Sequence, residues 1–246
     1  MENFERIRYA QALQAALLST PMDVYWDADG SLARLVTAAF RMQLKDHWEN
    51  NGVLQSLSEW AHGPDRGALL WIGGQSGPDE TWVTSLSTDM VQALTPQRVT
   101  LLHLFCADMS ANGVVPTPMR LVKCLIAQLL TLRPDLAYAN PALYSVQRLQ
   151  LAVTFGQAWQ VFEGLMAHVP DAFLVLDRIE DCVADEQSDL TNVLLPALLR
   201  LLHRTPGARA VITSIYEPPE EVLEMDEEGI LESIYIDTVT RPLKAR

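Results

Sequence analysis

Residues 69–84 read Leu69-Leu-Trp-Ile-Gly-Gly74-Gln-Ser-Gly77-Pro-Asp79-Glu80-Thr81-Trp-Val-Thr84, an apolar run that passes through glycines into the start of a helix. This is the layout of a phosphate-binding loop: strand, glycine-rich turn, helix N-terminus. Aligned with G-x-x-x-x-G-K-[ST] from Gly74, the hydroxyl survives as Thr81, but Asp79 replaces the last glycine and Glu80 replaces the lysine. In a working loop the glycines let backbone N–H groups close round the phosphates, the lysine neutralises them and the hydroxyl ligates Mg2+. A unit charge pair at about 4 Å is worth roughly 4 kcal/mol at an effective dielectric near 20, so exchanging attraction for repulsion costs several kcal/mol before screening. Micromolar affinity amounts to about −8 kcal/mol in total, and would hardly survive that. The same residues also fit a plain strand-to-helix turn with Thr81 near the cap.

Outward from this loop the pattern alternates strand with helix. Residues 68–72 form a short apolar run and 81–94 a helix; 99–106 form a second strand, followed by helices at 118–132 and 155–168. Residues 172–176 are an apolar strand ending on Asp177, 190–202 a helix, 208–213 a fourth strand, and 230–239 alternates as an edge strand. Such alternation predicts an α/β fold, a mostly parallel five-stranded sheet flanked by helices, with ligands beyond the carboxyl ends of its strands. Residues 74–81 and 177–181 occupy two such ends.

Residues 1–62 read instead as an N-terminal helical extension, leaving 63–246 as the sheet domain. Phe4, Ile7, Ala10, Leu13, Leu17 and Leu18 recur at helical spacing, as do Leu32, Leu35, Val36, Ala39, Phe40 and Leu44, then Leu54, Leu57 and Trp60. Pro21 and the segment from Asp27 to Gly30 separate the first two stripes, with Ser31 as the expected N-cap of the second. Asp27 and Asp29 resemble half of a calcium loop, but Gly30 comes too early and no distal Glu is correctly placed.

Composition narrows the function classes. The chain has 246 residues, 49% of them apolar, and a formal charge of −13, so it buries a sizeable core and has no diffuse attraction for nucleic acid or anionic lipid. Cys106, Cys124 and Cys182 are odd in number and widely spaced, which points to reduced core thiols. The charged N-terminus lacks the apolar core of a signal peptide, and no run reaches the ~18 apolar residues that span a bilayer. A cytoplasmic protein without membrane insertion is expected. Between residues 217 and 228 there are seven acidic residues and no Lys or Arg, which fits a solvated face or loop.

A second motif lies 96 residues after Thr81: Phe173-Leu-Val-Leu-Asp177-Arg-Ile-Glu180-Asp181, four apolar residues leading into acids. This is the arrangement of a Walker B site, where the first acid holds Mg2+ through water and a later one orients the attacking water. In Ala210-Val-Ile-Thr213-Ser214-Ile215 a strand ends in hydroxyls, which suit capping of the following turn. Other chemistry is absent from the pattern. His47, His62, His103, His168 and His203 have no metal-ligand spacing, and His103 lies in an apolar strand where core packing is expected. Residues 74–77 miss the G-x-S-x-G elbow by one position. Trp48, Trp60, Trp71, Trp82 and Trp159 fall in apolar helical or strand stripes.

Taken in order, these segments resemble STAND-class P-loop NTPases of the NACHT type, especially the N-terminal NTPase modules of large fungal proteins, over roughly residues 50–240. Leu70-Trp-Ile-Gly-Gly74 resembles the strand entering that family's phosphate loop, and Leu102-His-Leu-Phe-Cys106 its second strand. The helix Arg120-Leu-Val-Lys-Cys-Leu-Ile-Ala-Gln-Leu-Leu130, the aromatic Trp159-Gln-Val-Phe162 and Val175-Leu-Asp-Arg-Ile-Glu-Asp-Cys182 are similar to the family's next elements, and Val211-Ile-Thr-Ser214 to the strand before its Ser-Arg. The resemblance implies ATP or GTP binding with Mg2+ as a switch between resting and oligomeric signalling states. This chain departs where cations would meet phosphate: Glu80 stands for lysine and Ile215 for arginine. Gly74, Gly77, Asp79, Glu80 and Thr81 are therefore expected to be a vestigial nucleotide loop, and Asp177, Glu180 and Asp181 a vestigial Walker B. The expectation is a non-catalytic interaction or regulatory module without cofactor or resident metal, whose partners are proteins, among them other NTPase-fold chains. Two alternatives stay open: an atypical ATP/GTP-binding NTPase in which Lys123, Arg178 or a partner's arginine substitutes for the lost cation, and a metal-responsive site built from Asp79, Glu80, Thr81 and Asp177.

Overall fold

Five strands, β1 (Leu69–Gly73), β2 (Thr100–Phe105), β3 (Ala172–Asp177), β4 (Arg209–Ser214) and β5 (Leu231–Tyr235), form an all-parallel sheet in the order β2-β3-β4-β1-β5. The computed structural model describes residues 3–18, 26–42, 57, 59–60, 68–74, 82–97, 99–139, 144–169, 171–185, 188–225 and 229–235. Among these, the helices are α1 (Asn3–Leu17), α2 (Ala28–Met42), α3 (Trp82–Leu94), α4 (Cys106–Ala111), α5 (Pro118–Leu132), α6 (Val146–Gln150), α7 (Phe155–Met166), α8 (Leu195–Arg204) and α9 (Glu220–Met225). The fold expected from sequence is the one observed, with β5 at the sheet's edge.

Alternation along each strand sorts side chains onto two faces. Leu69, Trp71, Leu102, Leu104, Leu174, Leu176, Ala210 and Ile212 join the large apolar cluster filled by α1, α5, α7 and α8. Their neighbours Leu70, Ile72 and Val211 face Trp82, Val83 and Leu86 of α3, while Phe105 and Val175 meet Val91 of α3 with Leu32 and Leu35 of α2 packed alongside. Burial on both faces explains why the strands read as continuous apolar runs.

The chain order places the functional end. From β1 the path runs to β2, on one side, whereas from β4 it passes over β1 to β5, on the other. A crevice therefore opens beyond the carboxyl ends of the adjacent strands β1 and β4, the position where ligands bind in open α/β sheets.

The N-terminal helices pack into this body on both sides. α1 lies against α5 and α6, tied by Tyr9 Oη to the Tyr144 carbonyl at 3.0 Å and Gln14 Nε2 to the Ala127 carbonyl at 2.7 Å. α2 lies against α3, α4 and β2. Its cap differs from the expected Ser31: the helix starts at Ala28, Asp27 accepts the Gly30 N–H at 3.0 Å, and Ser31 Oγ donates to Asp108 on α4. Asp27 takes the capping bond three residues on, while the Ser31 hydroxyl is engaged by Asp108.

Local chemistry explains the other boundaries. Thr117 caps α5 ahead of Pro118, and Thr154 with Gln157 forms a capping box on α7. The helix expected over 190–202 opens as a π turn, Leu190–Leu194, before α8. Pro196 has no N–H to give to the fourth preceding carbonyl, so a continuous α ladder is interrupted there. Gln128 completes edge strand β2, accepting the His103 N–H at 3.0 Å and donating to its carbonyl at 2.9 Å. Its amide stands in for the missing neighbouring strand.

Candidate functional site

β1 delivers Gly74 to the switch point, where its N–H donates to the Ser214 carbonyl at 3.2 Å. Gly77, Asp79, Glu80 and Thr81 lie outside the described residues. α3 resumes at Trp82, which is 3% exposed in the cluster with Trp60, Ile72 and Val211. The start of the helix is thus anchored by apolar packing.

Asp177, the last residue of β3, points to the α3 face and is 0% exposed. Three hydroxyls converge on it. Thr84 Oγ1 donates to Oδ2 at 2.8 Å, while Ser87 Oγ at 2.8 Å and Thr213 Oγ1 at 2.7 Å reach Oδ1. Thr84 and Ser87 are one helical turn apart on α3, so both face the sheet, and Thr213 comes from the adjacent strand β4. Ser87 Oγ also lies 3.0 Å from the Val83 carbonyl and 3.1 Å from Thr213 Oγ1, so its one proton is shared among alternatives. Burial pushes the Asp177 carboxyl up to about 6, with the Thr213, Ser87 and Thr84 hydroxyls and then the Arg178 charge pulling in the opposite direction.

The chain turns sharply after this acid. Arg178 has φ 53° and ψ 54°, the left-handed region that costs a side-chain-bearing residue about 1–2 kcal/mol. Its N–H donates to Thr213 Oγ1 at 3.3 Å, and its guanidinium bonds Glu180 through Nε and lies 3.6 Å from Asp181. Glu180 Oε1 also accepts the Ile215 N–H at 3.3 Å, whereas Glu180 Oε2 is buried without a hydrogen-bond partner. Glu180 and Asp181 are therefore gathered round Arg178, while Asp177 is turned to the hydroxyls of α3 and β4. Ile215, which lacks the resembling family's arginine, contributes a backbone N–H to the same cluster.

Other sequence-derived candidates fall elsewhere. Lys123 is 4% exposed on α5, whose apolar residues fill the opposite face. Cys106 and Cys182 lie buried near the carboxyl end of the sheet, and burial raises both thiols, Cys182 to about 12. They are core groups rather than nucleophiles. Ser214 Oγ accepts the Tyr216 N–H at 3.0 Å, the capping role expected of it, but Thr213 spends its hydroxyl on Asp177. The sequence reading missed Thr84 and Ser87. Their signal was two hydroxyls at i, i+3 on a helix face that is otherwise buried and apolar.

Among the described residues no three His, Cys, Asp or Glu side chains gather as a metal-binding group. None of their helices is long and apolar enough to cross a membrane.

Residues 53–214 match the family model described as Nephrocystin 3, N-terminal, which covers roughly two thirds of the chain and encloses β1 through β4 with every acid of the site. The chain belongs to the nephrocystin 3 N-terminal family. No curated protein matches it at a significant level. The nephrocystin 3 N-terminal match begins after α2 and ends at Ser214, so α1, α2, α9 and β5 lie outside the matched residues.

Proposed function

We propose that this nephrocystin 3 N-terminal family member is a non-catalytic, NACHT-like NTPase-fold module that acts in protein interaction or signalling regulation, with nucleotide binding weak or lost. One observation carries the reading: both oxygens of Asp177 are engaged by hydroxyls from α3 and β4 in a fully buried position. In a working site this acid faces a hydrated Mg2+. Here it ties a helix to the sheet, and that donor set fits a Mg-nucleotide poorly.

Charge agrees with this reading. Glu80 and Asp79 place anions in the segment where phosphate would sit, and Arg178, a candidate substitute cation, is matched within its own turn by Glu180 and Asp181. Calorimetric titration of the protein with Mg-ATP and with Mg-GTP tests the proposal. No binding is expected at ligand concentrations near ~100 μM, roughly the level at which a micromolar site saturates. Micromolar binding with turnover would overturn it and favour the atypical NTPase.

A further inference from the structure

The imidazole of His103 on β2 sits beneath the first turn of α2 and is 6% exposed. Nε2 lies 3.3 Å from the Ala28 carbonyl oxygen, a geometry that suits the tautomer with its proton on Nε2. Nδ1 is then buried without a hydrogen-bond partner. The ring meets Phe105 edge-on at 5.7 Å between centroids, and Gln128 holds the His103 backbone on both its N–H and its C=O. The ring is fixed in place from several directions.

A second proton has nowhere favourable to go. On Nδ1 it would be a buried donor without an acceptor, and the resulting cation would face the N-terminus of α2, the positive end of the helix dipole. Opposing this, the Asp29 carboxylate is 4.0 Å from Nε2, but its side chain is 95% exposed and water screens it. Among the described side chains, the other charged groups on the packed elements are Asp27 and Arg34 beside or on α2, Asp89 on α3, Asp108 on α4, Arg120 and Lys123 on α5, and Asp177 on β3. Arg34 and Asp108 pair with each other at 2.7 Å. Burial accordingly holds His103 below the ordinary histidine value, against smaller upward pulls from the Ala28 carbonyl and Asp29.

We propose that His103 is an acid-sensitive latch for α2: the neutral ring fastens the first turn of the helix to the edge strand, and protonation lets α2 lift from α3 and β2. Lifting withdraws Leu32 and Leu35 from Phe105, Val91 and Val175, baring an apolar strip beside α3. Because the folded-state pKa is lowered, the fastening is complete above the ordinary histidine value and is lost as pH falls through the lower one. The inference stands independently of whether nucleotide binds.

The test is amide-exchange protection of α2 in the whole chain, referenced to β3 and α7, from about pH 7.5 to about pH 5, beside an NMR titration of the histidines. Protection of α2 is expected to fall by up to roughly tenfold per pH unit between the ordinary histidine value and the lower His103 titration point, then to level off, while β3 holds. His103→Gln, which keeps a side-chain donor and does not titrate, is expected to abolish the fall; Asp177→Asn is expected to leave it intact. Flat α2 protection from the ordinary histidine value down to the His103 titration point overturns the latch, as does an unchanged fall in His103→Gln. Should that variant not fold, the wild-type titration decides alone. His103 titrating at or above the ordinary value sinks the proposal, and a lower value coincident with loss of α2 protection supports it.

Discussion

The two faces of the sheet are built from different materials. On the face covered by α5, α7 and α8, strand side chains such as Trp71, Leu104, Leu174 and Ile212 are apolar, and the side is a hydrocarbon core. On the α3 face Asp177, Thr213, Thr84, Ser87 and His103 are buried among apolar neighbours. The first face holds by burial of area, the second by a polar network whose worth depends on every member being satisfied. The polar face is thus stabilised from within, by hydroxyl-to-carboxylate contacts that join α3, β3 and β4.

The comparison breaks most visibly at Trp71. Trp71→Ala removes a fully packed ring and its Nε1–H bond to the Tyr216 carbonyl at 2.9 Å. A loss of about 3–5 kcal/mol is expected by denaturant unfolding, insensitive to pH. A pH-dependent loss would mean that the apolar face is coupled to the polar one.

Asp177→Asn is expected to do the opposite. Since the folded-state carboxyl is raised to about 6, its stabilising contribution is present below the unfolded value and lost as pH rises through about 6. The asparagine variant should therefore be more stable at neutral pH, by on the order of 2–3 kcal/mol, with the advantage vanishing near pH 4. Thermal melts across that window decide it. A destabilised variant at neutral pH would show the ionised acid to be worth more than its burial costs.

Thr213→Val deletes a donor to Asp177 and the acceptor of the Arg178 N–H. The expected cost is about 1–3 kcal/mol, with the Asp177 titration displaced to higher pH, as carboxyl NMR would register. The smallest effect belongs to the far face. Thr154→Ala removes one arm of the α7 capping box for about 1 kcal/mol, and helical circular dichroism at elevated temperature should fall accordingly.

Strand positions were legible because both faces of a parallel sheet are dry, so β1, β3 and β4 stand out as apolar runs. Helices α5 and α7 announced themselves by stripe and cap. Short pieces did not: α4 follows β2 without a break and α6 has only five residues, too few for a periodicity to register. At the site, Asp177, Glu180 and Asp181 were legible as acids after a strand; Asp177 faces the hydroxyls of α3 and β4, and Glu180 and Asp181 face Arg178. What sequence could not convey was occupancy. Thr84 and Ser87 reach Asp177 across 93 and 90 positions, and only the register of β3 beside β4 and the rotation of α3 decide which hydroxyl meets which oxygen.

The docking of α1 carries a consequence in time. Gln14 finds its partners at Ala127 and Thr131, and Tyr9 finds Tyr144, so α1 waits for chain made much later. At ~5–20 residues per second, a ribosome takes on the order of 5–20 s to supply the intervening stretch. Throughout that interval Leu13 and Leu17 have none of the cover that later leaves them almost wholly buried. Until that chain arrives, the apolar face of α1 is open to interception during synthesis.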